Sequence, residues 1–138
     1  MQLLRSKEKA DFARFKSLTE GKVSFLDGQH DLTGNRVAMQ SFVRSGNSFL
    51  RNCLERITGV YTGADMNIKH TFFEAMMGML GQYITSDSNL VWVTKTHCPH
   101  AIPGDKAFKA EKMIVIARNP IDVITSFANL VNTHSHSL

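Results

Sequence analysis

Long hydrophobic runs are missing from this chain. The longest unbroken apolar stretch is Met113–Ala117, far short of the roughly 20 residues that a bilayer-spanning helix needs. Cysteine is scarce. Cys53 and Cys98 are the only two, with no CxxC spacing, which excludes a disulfide framework and predicts reduced thiols in a cytosol-like compartment. Basic clusters and nucleic-acid motifs are also missing. The net charge of +4 and pI near 9.3 favour anionic partners in general, but the basicity is too diffuse for a nucleic-acid module. The N-terminal MQLLRSKEKADFARFK lacks the apolar segment of a secretory signal, so a cytoplasmic location with no membrane segment is expected. What remains is ordinary: 138 residues, 43% hydrophobic and 20% charged. That composition excludes a collagen-like, low-complexity or wholly disordered chain and predicts one globular domain.

Residues 1–35 read as a lead-in. Leu3, Leu4, Phe12, Phe15 and Leu18 suit a short helix, and the Gly-, Asp- and Asn-rich stretch from Glu20 to Asn35 reads as loop. The domain proper spans 36–138. Val37–Val43 is expected to be a buried strand. Ser48–Ile57 follows as a helix, with Phe49, Leu50, Cys53, Leu54 and Ile57 on its apolar face and Gly59 as its stop. Thr71–Tyr83 is a second helix candidate, interrupted by Gly78 and Gly81. Leu90–Thr94 and Lys112–Ala117 read as strands, separated by a loop that Pro99, Pro103 and Gly104 impose. Pro120 suits a first helical position, with Asp122 in the first turn of a helix running to about Val131. The order is that of an α/β protein with a parallel sheet, in which ligands bind at the C-terminal ends of strands.

Each strand end carries a polar cluster. Arg44-Ser45-Gly46-Asn47-Ser48 turns directly into a helix. Backbone N–H groups, the helix N-terminus with about half a positive charge, and the Arg44 guanidinium suit a phosphate or sulfate. An ordinary strand-to-helix turn capped by Asn47 or Ser48 explains the same residues equally well. The segment is not a Walker A loop, since GxxxxGK followed by Ser or Thr is absent. The second cluster is Lys95-Thr96-His97-Cys98-Pro99-His100. It places a cation and a titratable base on one side of an extended segment; a surface loop with incidental histidines is the plainer alternative, and zinc spacing is lacking. In the third, Arg118-Asn119-Pro120 precedes a helix bearing Ser126. Arg118 and Ser126 suit a shared phosphate, or else Ser126 is exposed or bonds back to its own backbone.

Together and in this order, the clusters resemble the sulfotransferases that use 3′-phosphoadenylyl sulfate (PAPS). SFVRSGNSFLRNCL resembles the family's loop for the 5′-phosphosulfate. VTKTHCP is similar to the segment carrying the catalytic base in the cytosolic branch, and KMIVIARNPIDVITSF to the 3′-phosphate segment. The resemblance runs from about Arg36 to Leu130. It implies a three-layer α/β/α parallel sheet of the P-loop nucleoside triphosphate hydrolase type. It also implies sulfuryl transfer from PAPS to a hydroxyl or amine of a small-molecule or glycan acceptor, with no metal. Arg44 would then contact the phosphosulfate, and the backbone of Ser45, Gly46, Asn47 and Ser48 would cradle it with help from the Ser48 hydroxyl. Phe49 would stack on adenine, Lys95 would neutralise the transferring group, His97 would take the acceptor's proton, and Arg118 with Ser126 would bind the 3′-phosphate.

The sequence departs from the family in three places. Arg44 stands where lysine is common, which keeps the charge but removes an acid that works at neutral pH. Val43 stands where proline is frequent. The family's C-terminal Arg-Lys-Gly segment is absent, so the domain is expected to be incomplete and the chain unstable, oligomeric or reliant on a missing C-terminal half. The alternative reading is a catalytically inactive nucleotide- or phosphate-binding module of the same fold.

Overall fold

The computed structural model describes residues 23–66, 80–82, 84–98 and 107–133. Among these residues four strands form one parallel sheet. They are β1 (Val37–Ser41), β2 (Gly63–Ala64), β3 (Val93–His97) and β4 (Lys112–Ile116), in the spatial order β2-β3-β1-β4. Among the described residues two helices accompany them, α1 (Asn47–Thr58) and α2 (Pro120–Thr133), with a 3₁₀ turn at Ser86–Ser88. The chain is thus a small α/β fold.

β1 is central because its neighbours on both sides are strands. Val37 and Met39 are buried and join Val93 in the core, against which α1 lays Leu50 and Leu54 and β4 lays Ile114 and Ile116. Met39 and Val93 are fully buried, and a fully buried aliphatic side chain contributes about 1.5–3 kcal/mol; the leucines and isoleucines are partly buried and contribute less. The register pairs Ser41 with both His97 and Ile116. The three strands therefore end level, and the segments that follow them leave the sheet at one edge. The chain runs from β1 outward to β2, returns through β3 and then crosses to β4. The strand order reverses beside β1, the place where open α/β sheets bind ligands.

Local signals set the helix ends. α1 begins after Gly46 (φ 96°) and stops at Gly59 (φ 70°), whose N–H bonds the Glu55 carbonyl at 2.9 Å. Glycine adopts these left-handed angles without a Cβ penalty. α2 starts at Pro120, where the missing N–H costs nothing. The Asn119 side chain accepts from the Ile121 N–H at 3.1 Å, so this asparagine caps the helix.

Several expectations shift. β1 stops at Ser41 rather than Val43, because the chain turns there: the Ser45 N–H reaches the Phe42 carbonyl at 3.3 Å and Arg44 takes φ 68°. β3 lies at Val93–His97, three residues beyond the expected Leu90 start. The 3₁₀ turn and the left-handed Asn89 (φ 57°) hold the preceding residues out of the ladder. β4 ends at Ile116, and α2 runs on to Thr133. The apolar LVWV run led to the wrong frame, since the parallel partner of Val37 is Val93.

The packing face of α1 differs more. Phe49 and Ile57 are 75% and 81% exposed, while Asn47, Arg51 and Glu55 are buried. Spacing of four residues aligns these three on one stripe. The polar stripe is tolerated because most of its groups are bonded. Arg51, 0% exposed, donates from Nε to the Thr62 hydroxyl at 2.7 Å and from its terminal nitrogen to the Thr62 carbonyl at 2.9 Å. Glu55 accepts from the Thr62 hydroxyl at 2.6 Å and from its N–H at 2.9 Å. Buried charge is stable only when bonded in this way.

The expected helix of Leu3–Leu18, and the loop carrying Pro99, His100, Pro103 and Gly104, lie outside the described residues. So does the expected helix of Thr71–Tyr83 except for residues 80–82, which form a turn. Among the described residues no helix is long and apolar enough to cross a membrane.

Candidate functional site

A cavity of about 380 Å³ opens at the edge where β1, β3 and β4 end. That size is within the range of small-ligand sites, about 300–1,000 Å³. The segment after β1 contributes Arg44, Gly46, Asn47, Ser48 and Phe49. β3 contributes Lys95 and His97, and the segment after β4 contributes Arg118 and Ser126. Residues from all three clusters therefore share one cavity, although up to 82 positions separate them.

The first segment is shaped by backbone geometry. Arg44 and Gly46 have positive φ, 68° and 96°. Left-handed turns of this kind direct successive N–H groups to one side and form anion-binding concavities. The N-cap of α1 is Gly46, with no side-chain cap. The alternative of capping by Asn47 or Ser48 therefore does not hold, and no side-chain hydrogen bond closes the positive end of the helix. Ser45 differs from the other cradle residues. It is buried, does not line the cavity, and its N–H donates to Phe42.

Direct bonds join the first and third clusters. Arg44 Nε donates to Ser126 Oγ at 2.9 Å, and the Arg118 guanidinium donates to the Arg44 carbonyl at 3.2 Å. A non-glycine residue in the left-handed region costs about 1–2 kcal/mol, and these two bonds hold Arg44 in it. Phe42 and Phe127 pack edge to face beside them, with ring centroids 6.4 Å apart. Ser126 is buried and bonded to Arg44, neither exposed nor limited to its own backbone.

Lys95 and His97 lie within β3 rather than beyond it, two residues apart and so on one side of the strand. Lys95 is only 2% exposed. His97 Nδ1 sits 3.1 Å from the Ser41 carbonyl oxygen.

Electrostatically the cavity is one-sided. Arg44, Lys95 and Arg118 are cations, and none of the described residues lining it is a carboxylate. Such a surface favours a multiply charged anion. Among the described residues no group of three His, Cys, Asp or Glu side chains is placed to hold a metal ion.

Three lining residues were not anticipated: Val43, Met66 and Leu130. Leu130 follows Ser126 by four positions on α2, a spacing that was legible. Met66 follows β2, whose two residues Gly63–Ala64 carry no strand signature of their own. Comparison with protein families, with curated proteins and with solved structures found no match.

Proposed function

We propose that this chain is a sulfotransferase that moves a sulfuryl group from PAPS to a hydroxyl or amine of a small-molecule or glycan acceptor. The observation that carries the reading is the convergence of Arg44, Lys95, Arg118, the uncapped N-terminus of α1 and a histidine on one cavity with no carboxylate among its described lining residues. The donor carries charge at both its phosphosulfate and its 3′-phosphate, so it needs cations at two places. Arg44 with the Gly46–Ser48 backbone suits the first, and Arg118 with Ser126 the second. Phe49, widely exposed at the cavity, offers a face for adenine.

In this reading the acceptor oxygen or nitrogen attacks sulfur while His97 takes its proton. The bond between sulfur and the bridging oxygen of the 5′-phosphate breaks, and 3′-phosphoadenosine 5′-phosphate departs with the bridging electron pair. Lys95 and Arg44 offset the charge that builds on the transferring group and the leaving phosphate. Arg44 stays charged throughout, so its part is electrostatic. The parallel order β2-β3-β1-β4, with a loop and helix after the central strand, supports the P-loop type of three-layer sheet.

The test is calorimetric titration of the purified chain with 3′-phosphoadenosine 5′-phosphate, beside 5′-AMP. Selective binding that Arg118→Ala abolishes is the expected result, followed by sulfuryl transfer that His97→Ala removes. Binding without transfer to phenol, alcohol, amine or carbohydrate acceptors would instead identify a nucleotide-binding module. No binding by the folded chain would refute the donor site.

A further inference from the structure

His97 stands directly opposite Ser41 in the parallel register. The Ser41 carbonyl takes the ladder bond from the Cys98 N–H at 2.9 Å and also meets His97 Nδ1 at 3.1 Å. A carbonyl oxygen has two lone pairs and no proton to give. Nδ1 must therefore carry the hydrogen, and the lone pair of the neutral ring lies on Nε2.

Ser41 is held from a second direction. Asn47, only 4% exposed, donates from Nδ2 to Ser41 Oγ at 2.9 Å and to the Met39 carbonyl at 3.4 Å. The first residue of α1 is thereby fastened through its side chain to the C-terminal end of β1. Its side chain points into the sheet, while its backbone belongs to the anion-binding turn.

We propose that Asn47 is a positioning residue: by bonding the Ser41 hydroxyl it fixes the residue whose carbonyl meets Nδ1, and so holds His97 in the Nδ1–H tautomer, with Nε2 the atom that accepts a proton. Its relevance to transfer rests on the reading of His97 as the base. The tautomer itself is a property of the unliganded chain. Any ligand that settles in the Gly46–Ser48 turn bears on the same residue that orients the histidine, so one side chain ties the donor loop to the base.

The test is nuclear magnetic resonance of the uniformly ¹⁵N-labelled full chain, without donor or acceptor, at alkaline pH where the imidazole is neutral. Long-range correlations from the ring protons distinguish a protonated from a bare ring nitrogen. The wild type should show a bare-nitrogen resonance at Nε2 and a protonated one at Nδ1. Asn47→Ala should move both resonances of His97 toward their averaged positions, with the circular dichroism spectrum retained. If Asn47→Ala fails to fold, Ser41→Ala carries the same test, because it breaks the same 2.9 Å bond from the other end. A protonated Nε2 in the wild type would overturn the proposal. So would a folded variant whose His97 resonances are unchanged. Because no nucleotide is present, failure here leaves the donor-binding titration standing, and failure of that titration leaves the tautomer assignment standing.

Discussion

Arg44 and Ser126 meet through a 2.9 Å hydrogen bond that spans 82 positions of sequence. The bond joins the turn after β1 to the second turn of α2 across the mouth of the cavity. Removing the hydroxyl tests the site and the fold together. Ser126→Ala should weaken binding of 3′-phosphoadenosine 5′-phosphate about tenfold or more, since a hydrogen bond to a charged group contributes about 1.5–3 kcal/mol. Titration calorimetry reads this, and unchanged affinity would remove Ser126 from the proposed donor site.

Arg44 is in a conformation that suits glycine better. Arg44→Gly should relieve about 1 kcal/mol of backbone strain and so offset the loss of the bond to Ser126. The expected outcome is stability within about 1 kcal/mol of the wild type, together with loss of anion binding. Urea denaturation beside calorimetry separates the two effects. A large fall in stability would show that Arg44 serves the fold before the ligand.

Thr62 connects Arg51 and Glu55 through its hydroxyl, donating to one and accepting from the other. Thr62→Val keeps the shape and removes both bonds while leaving the charges buried. Destabilisation of about 3 kcal/mol is expected, read as a shift of the urea midpoint. A loss below about 1 kcal/mol would mean that these charges are solvated in the folded chain.

Gly63 is the first residue of β2, and a Cβ there would meet the Ile84 carbonyl oxygen. The obstacle is backbone, which has little freedom to yield. Gly63→Ala should sharply reduce soluble yield and melting temperature. Tolerance of alanine would show that β2 and the Ile84 segment separate readily.

Asp31 accepts from the Thr33 N–H at 2.9 Å. Its side-chain and backbone bonds to Thr33, with the nearby Arg36 charge, hold its carboxyl below the ordinary value of 3.8. A depressed folded value favours the folded state above the unfolded value, and that contribution is lost as pH falls through the folded one. The group is solvent-exposed, so the effect on stability is small and best read directly. Carboxyl titration by nuclear magnetic resonance should give a midpoint below 3.8 that rises toward it in Thr33→Ala.

Much of the architecture was legible because it is written locally. Gly59 stops α1, Pro120 opens α2, and KMIVI has the apolar, β-branched run of a strand, although the burial that such a run suggests is not met: Met113 and Val115 are 60% and 62% exposed. The juxtaposition in the candidate site was legible through chemistry at strand ends, since nine of the ten expected residues line one cavity and only the buried Ser45 does not. The frame of β3 was not legible. LVWV is apolar along its whole length, so hydropathy does not say where pairing begins. The packing face of α1 was hidden for a related reason: burial of Arg51 and Glu55 depends on Thr62, and nothing within the helix announces that partner.

The sequence by itself determined that α1, α2, β1 and β4 form, where glycine and proline bound the helices, and which cations and which histidine stand at the strand ends. These are short-range matters of backbone sterics and residue chemistry. Only the tertiary structure decided that Arg44 bonds Ser126, that Ser41 faces His97, and that the polar stripe of α1 is the buried one. Parallel strands pair across long intervening segments, and a buried charge is acceptable only where a distant group satisfies it. Both conditions depend on groups far apart in the chain that meet only when the whole sheet has formed.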